Sequence, residues 1–292
     1  MKILVIGANG QLGKSIQKIV SGAKQNNEFV FVGRGELDLS KKESIASYFD
    51  NNNFDVIINC GAYTAVDRAE EEQNLTNQVN HLAIKQLARI AKEQKAKLIH
   101  ISTDYVFDGT GSKPYKETDK TNPINVYGKT KLAGEKALQA IMSTNAIIIR
   151  TSWLYSEYGN NFVSTMLMLG KERDELNVVN DQIGSPTYAT DLAGAILEII
   201  KSKEFREENQ ATQFYHYSNE GEISWYEFTK EIFKIAKTNC KVNPITTQQY
   251  PTPAKRPKNT LMNKNKIIEK FGVKNANWKE PLNTCITTLK EQ

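Results

Sequence analysis

Lys2-Ile3-Leu4-Val5-Ile6-Gly7-Ala8-Asn9-Gly10-Gln11-Leu12-Gly13 reads as a strand, a glycine turn and the opening of a helix. Residues 2–6 form a short, β-branched, continuously apolar run, as in a strand buried on both faces of a parallel sheet. Gly7, Gly10 and Gly13 follow at G-x-x-G-x-x-G spacing. Gly7 permits a tight turn, Gly10 lets backbone approach a pyrophosphate, and Gly13 lets the helix lie close on the sheet. The helix N-terminus then presents free N–H groups to phosphates. Glycine turns after strands are common. It is the position between a strand and a helix that makes this one a dinucleotide signature.

The same rhythm continues along the chain. Phe29–Val32, Phe54–Cys60, Lys97–Ser102 and Ala146–Arg150 are further apolar runs. Helical stretches lie between them at Gln11–Val20, Leu75–Gln94 and Tyr127–Ala140. In the second of these, Val79, Leu82, Ala83, Gln86, Leu87 and Ile90 recur at three- and four-residue spacing. Strand and helix alternating in this way imply an α/β fold, a Rossmann-type doubly wound parallel sheet. After Trp153 the character shifts to helical segments at Phe162–Lys171, Thr190–Lys203, Ser224–Lys237 and Asn263–Phe271. Short strand candidates sit at Asn177–Val179 and Phe214–Tyr217. The expected division is a dinucleotide-binding domain over residues 1–154 and a smaller, mainly helical substrate lobe over residues 155–292, with elements free to interleave.

Composition narrows the function. The 292 residues carry 38 Lys plus Arg against 33 Asp plus Glu, a net charge of +5. That excess suits an anionic small molecule and falls short of a nucleic-acid footprint. The apolar runs Ala146–Ile149 and Ala193–Ile200 are far shorter than the roughly 20 residues of a membrane span. Ile3–Ile6 is too short for a signal-peptide core, so a cytoplasmic setting is expected. Cys60, Cys240 and Cys285 are far apart and form no C-x-x-C, and the three histidines His81, His100 and His216 are too few for a His-rich metal site. No metal is expected. His100 and His216 read as core histidines within strands, and Cys60 as a small core residue.

Two local groups carry chemistry. Val32-Gly33-Arg34-Gly35 ends the second strand, where an acidic residue would hold a ribose 2′-hydroxyl. Arg34 instead stands where a cation would accept a 2′-phosphate, or is a solvated turn residue. Asp38-Leu39 lies within reach of the adenine end. The expected cofactor is NADPH, with NADH left open.

Tyr127-Gly128-Lys129-Thr130-Lys131 contains Y-x-x-x-K, and residues four apart on a helix share a face. A Lys131 ammonium near the Tyr127 phenol is expected to lower its proton affinity and fit it to exchange a proton near neutral pH. The preceding strand ends in Ile101-Ser102-Thr103-Asp104, at the carboxyl edge where ligands sit in an open parallel sheet.

Together these motifs resemble the extended short-chain dehydrogenase/reductases. Within them the chain is similar to the dTDP-4-dehydrorhamnose reductase family. The strings that carry the likeness are Gly61-Ala62-Tyr63-Thr64-Ala65-Val66-Asp67-Arg68-Ala69-Glu70 and Ser102-Thr103-Asp104-Tyr105-Val106-Phe107-Asp108-Gly109. Asn125-Val126-Tyr127-Gly128-Lys129-Thr130-Lys131, Arg150-Thr151-Ser152-Trp153 and Pro253-Ala254-Lys255-Arg256-Pro257 extend it along nearly the whole chain. The resemblance implies Tyr127 as proton donor, Lys131 as its partner and a ribose contact, and Thr103 in place of the usual serine. It implies that Gln11 and Leu12 line the pyrophosphate, Asp38 and Leu39 the adenine end, and Ala62, Tyr63 and Thr64 the cofactor groove. Thr103, Asp104 and Trp153 would hold the sugar of a dTDP-sugar substrate.

Lys255-Arg256 stands where that family often has two arginines, and both are expected to meet the substrate diphosphate. By position alone Trp153 is equally a packing residue between lobes. The acidic run Asp67, Glu70, Glu71, Glu72 reads as a solvated helix start. The implied reaction is NAD(P)H-dependent reduction of the C4 ketone of dTDP-4-dehydro-β-L-rhamnose, by a monomer or homodimer. Two other readings remain: a non-catalytic regulatory subunit of the same fold, and a reductase or epimerase acting on another nucleotide sugar. A regulatory subunit would be expected to lose part of the Thr–Tyr–Lys set, and this chain keeps all three.

Overall fold

A computed structural model describes residues 1–22 and 26–291. The strands are β1 (Lys2–Ile6), β2 (Glu28–Val32), β3 (Val56–Asn59), β4 (Lys97–Thr103), β5 (Ala146–Thr151), β6 (Leu154–Tyr155), β7 (Glu175–Val179), β8 (Ile183–Gly184), β9 (Thr187–Tyr188), β10 (Gln213–His216), β11 (Ile223–Ser224) and β12 (Lys241–Ile245). The helices are α1 (Gln11–Ser21), α2 (Lys42–Asp50), α3 (Val66–Ala69), α4 (Gln73–Asn77), α5 (Ala83–Glu93), α6 (Val126–Ile141), α7 (Phe162–Glu172), α8 (Ala189–Lys201), α9 (Lys203–Arg206), α10 (Trp225–Ala236), α11 (Asn265–Phe271) and α12 (Lys279–Glu291).

Among the described residues the central sheet has six strands in the order β2-β1-β3-β4-β5-β10. All neighbouring strands in it run parallel. The direction of winding reverses between β1 and β3, so the crevice at their carboxyl ends is where such sheets take ligands. Apolar residues alternate between the two faces. Ile3, Val5, Ile58, Ile99 and Ile149 pack with α1 and α8 on one side. Leu4, Ile6, Ile57, Leu98 and Ile148 pack with α5 on the other. Burial of both faces is why the strands read as unbroken apolar runs.

Residue 155 is not a clean boundary. The apolar stripe of α8 (Leu192, Ala193, Ile196, Ile199, Ile200) joins the sheet core beside α1, and β10 pairs with β5 as the sixth strand. The expected Phe214–Tyr217 strand therefore belongs to the first layer. The C-terminal lobe has its own core around Tyr155, Val163, Phe228, Ile232, Trp278 and Leu282.

The helix expected over residues 75–94 is interrupted by a π-helical turn at Gln78–Leu82. Asn80 in that turn accepts from Tyr63 N–H at 2.9 Å and donates to Tyr63 C=O at 3.0 Å. A turn widened in this way trades helical regularity for a grip on the loop after β3. The sequence pattern does not mark helices α2 and α12 or strand β12. Pro281 in the first turn of α12 and Pro244 in β12 mask their patterns. Pro244 is tolerated because β12 belongs to a two-stranded ribbon with β7, where its missing N–H leaves no broken ladder in the main sheet. Among the described residues no helix is long and apolar enough to cross a membrane.

Candidate active site

The glycine turn packs as its spacing requires. Gly7 has φ +83°, and a Cβ there would lie 2.8 Å from Gly61 N. A Cβ on Gly13 would lie 2.3 Å from Gly7 O, so only glycine lets α1 sit this close to the turn. Gly10 is the N-cap of α1, and no side chain caps that end. Its first-turn amides are thus available to an anion. The Gln11 side chain, however, is engaged elsewhere. It donates to Leu154 C=O at 3.4 Å and accepts from Ser156 Oγ at 2.9 Å and Asn161 Nδ2 at 3.1 Å. Leu12 is buried in the sheet core. Any contact of these two residues with a pyrophosphate would run through their backbone N–H groups and not through their side chains.

A cleft of about 310 Å³ opens beside this turn, lined in part by Gly7, Arg34, Asp38, Leu39, Ala62 and Tyr63. Thr64 is exposed just outside that lining. Arg34 Nε lies 3.4 Å from Asp38 Oδ1, and its side chain is 77% exposed at the mouth. Arg68 also lines the cleft and pairs with Glu72, which in turn accepts from the Tyr63 hydroxyl. Sequence reading missed Arg68, because a charged residue in an acidic run looks like a solvated helix face.

Thr103 and Tyr127 meet at the carboxyl end of β4. The Thr103 hydroxyl donates to Asp104 Oδ1 at 2.9 Å and lies beside the Tyr127 phenol. Helix α6 carries Tyr127 in its first turn. Its N-terminus is fixed by Asn125, whose side chain accepts from Gly128 N–H at 2.8 Å, and by Glu70, which accepts from Val126 N–H at 2.9 Å. Glu70 of the acidic run thus serves the helix that presents the tyrosine.

Proton affinities here depart from expectation. Desolvation pushes the Tyr127 phenol up to about 12, with Thr103 opposing and the Asp104 charge adding to the rise. The Lys131 ammonium group donates to the Ile101 carbonyl at 2.6 Å. Burial pushes Lys131 down to about 8, with Glu135 opposing. Tyr127 is therefore a protonated phenol at neutral pH, the state a proton donor needs. Asp104 is 2% exposed, and its Oδ2 has no partner among the described residues. Burial raises its carboxyl to about 6, against the hydroxyls of Thr260 and Thr103. An orphaned buried carboxylate oxygen beside Thr103 is a ready acceptor for a ligand hydroxyl.

Trp153 packs against the core of the C-terminal lobe. Its backbone is left-handed, with φ +47°. Its indole stacks on Trp225 at 3.4 Å between ring centroids, and Trp225 tilts against Phe162 at 4.3 Å. Gly184 lies so close that a Cβ there would come within 2.7 Å of the indole. Positive φ at a bulky residue is costly and survives only where packing holds it, often at functional sites.

The Lys255-Arg256 expectation divides. Arg256 forms a two-pronged pair with Asp67, Nη1 to Oδ1 at 3.0 Å and Nη2 to Oδ2 at 2.6 Å. Its fork is thus committed to binding the loop of residues 252–257 to α3, not held out for a diphosphate. Lys255 is exposed, and its carbonyl accepts from Asn125 Nδ2 at 2.8 Å, so the loop is also pinned to the start of α6. Both residues line a depression of about 590 Å³ with Lys258 and Tyr250. His216, by contrast, is fully buried beside Arg150 on the adjoining strand, as a core histidine would be.

Residues 1–291 match the family model of the RmlD substrate binding domain. A dTDP-4-dehydrorhamnose reductase from Aggregatibacter actinomycetemcomitans is 42% identical over 287 residues, covering 96% of this chain and 97% of that protein. The crystal structure of such a reductase from Clostridium acetobutylicum is 42% identical, with a TM-score of 0.92, and covers 99% of this chain and 100% of that one. That of Bacillus anthracis, in complex with NADP, is 37% identical, with a TM-score of 0.89 over 98% of this chain and 99% of that one.

Proposed function

The chain belongs to the RmlD substrate binding domain family, together with dTDP-4-dehydrorhamnose reductases, and on that premise we propose that it reduces the C4 ketone of dTDP-4-dehydro-β-L-rhamnose to dTDP-L-rhamnose with NADPH. The observation that carries the reading is the Thr103–Tyr127–Lys131 set at the carboxyl end of β4, beside a glycine turn and an uncapped helix N-terminus. The first-turn amides of α1 would hold the pyrophosphate, and Lys131 the nicotinamide ribose. When bound, the cofactor supplies hydride to C4. Tyr127 gives its phenolic proton to the forming alkoxide, and Thr103 orients the same oxygen. Asp104 accepts from a sugar hydroxyl, and Trp153 forms an apolar wall for the deoxysugar. The protein's share is orientation and electrostatics. The lobe built around α7, α10 and α12 is the substrate lobe in this reading, and the setting is a cytoplasmic monomer or homodimer.

The test is oxidation of NADPH against a panel of 4-keto nucleotide sugars. Turnover of the dTDP-6-deoxyhexulose above the others supports the reading. Turnover of none makes the chain a cofactor-binding regulatory subunit, and preference for another sugar makes it a sister reductase or epimerase.

Two substitutions separate the subsites. Arg34→Ala is expected to raise the KM for NADPH about tenfold and leave that for NADH nearly unchanged, since an exposed guanidinium–phosphate contact is worth about 1.5 kcal/mol. Equal movement of both constants would make Arg34 a turn residue only. Trp153→Ala is expected to raise the KM for the sugar nucleotide by about tenfold, the equivalent of about 1.4 kcal/mol of lost apolar contact, without moving that for NADPH. Unchanged sugar kinetics would leave Trp153 with packing alone.

A further inference from the structure

Asn59, His100 and Lys131 are each at most 2% exposed, and His100 touches both of the others. Asn59 and His100 are register partners on β3 and β4. Gly61 N–H donates to Asn59 Oδ1 at 3.1 Å, which fixes the orientation of the amide. Its nitrogen then faces His100 Nδ1 at 3.1 Å. An amide NH2 only donates, so Nδ1 must be the accepting nitrogen and a neutral ring carries its proton on Nε2. Burial, and then the Lys131 charge, hold His100 well below its ordinary value, so the ring is neutral.

Nε2 faces Lys131 Nζ at 3.5 Å. In this tautomer it offers a proton, not a lone pair. A neutral amine can accept that proton. An ammonium has three donors and no acceptor, and among the described residues only the Ile101 carbonyl receives one of them. We propose that Asn59 and His100 form a buried donor relay that disfavours the ammonium of Lys131 in the free protein, so that the nicotinamide ribose, on binding, draws a proton from solvent onto that side chain. The ribose hydroxyls supply the acceptors that the relay withholds. This makes His100 a positioning residue that acts through Lys131, and it rests on the reading of Lys131 as the ribose contact.

The other titratable groups on the packed elements are accounted for. Cys60 after β3 is kept as a thiol, burial pushing it up to about 12. Glu135 on α6 is bound by Arg150 of β5. Asp67 of α3 is held by Arg256, and Glu70 by Val126 N–H. His81 of the π-helical turn bonds Asn77. Tyr105 and Tyr127 are protonated phenols, both raised chiefly by burial, and Asp104 is turned toward Thr103.

Two measurements on the full chain test the relay. Nitrogen-15 NMR of histidine-labelled free protein, with His100→Gln used for assignment, should place the His100 proton on Nε2. Asn59→Asp should move it to Nδ1, because a carboxylate accepts from both Gly61 and the ring. Calorimetry of NADPH binding near pH 8 in buffers of different ionisation heat should then show uptake of about half a proton by the wild type, none by Lys131→Met, and clearly less by Asn59→Asp. A wild-type His100 protonated on Nδ1, or uptake that persists in Lys131→Met, overturns the proposal. If Asn59→Asp does not fold, the wild-type tautomer and the Lys131→Met comparison still decide. Should both measurements come out as expected while no dTDP-sugar is reduced, the substrate reading alone has failed.

Discussion

Tyr127→Phe is expected to lower turnover about 10²–10⁴-fold, the usual worth of a positioned proton donor, while NADPH affinity stays near the wild-type value. The phenol stands beside Thr103, and its proton affinity is raised to about 12. It therefore enters the reaction with its proton in place across the neutral range. The substitution removes one oxygen and keeps the ring, so the edge-on contact with Tyr105, 5.7 Å between centroids, persists. Steady-state kinetics with the 4-keto sugar nucleotide and fluorescence titration with NADPH check both halves. Activity within a few-fold of wild type would remove Tyr127 from the mechanism.

Glu135→Ala should cost about 3–5 kcal/mol of folding stability. Glu135 sits one turn beyond Lys131 on α6 and pairs with Arg150 of β5 through bonds of 2.9 and 2.7 Å. The two side chains are 1% and 4% exposed. Deleting the carboxylate leaves a guanidinium enclosed with no counter-charge, its plane near Phe107 and Phe214 at 5.2 and 4.9 Å. Desolvation, not lost attraction, dominates that cost. The double substitution Glu135→Leu with Arg150→Met should accordingly recover most of it. Urea unfolding of the wild type and these two variants measures this. A single-variant loss below about 1 kcal/mol would mean that Arg150 finds water or another partner.

Much of the first layer is legible along the chain, because its information is local. A strand buried on both faces has to be apolar without a break, and Ile3–Ile6 and Ala146–Ile149 are. A turn that carries backbone toward phosphates needs glycine where a Cβ would strike Gly61 N or Gly7 O. The Tyr127–Lys131 spacing is one helical turn, so their common face follows from helix geometry.

The electrical state of that pair does not follow from spacing. The expectation that Lys131 lowers Tyr127 treats two charges in isolation. In the folded chain both groups lose water, and Ile101 C=O takes the lysine. Desolvation then moves the phenol up and the amine down.

Other features join residues far apart in sequence, where no period or motif marks the partner. Arg256 and Asp67 are 189 positions apart, and nothing near either residue announces their pairing. Gln11 and Asn161, 150 apart, meet because the second lobe packs on the start of α1. Helix α8 and β10 leave the C-terminal half to complete the sheet, since the faces beside α1 and β5 would otherwise stay wet. Short-range pattern, set by the helix turn and the strand pleat, thus specifies the layers, the glycine turn and the tyrosine helix. Which side chains are desolvated together, and hence which carry charge, is settled when those layers close, because burial and pairing depend on neighbours that the chain brings in from a distance.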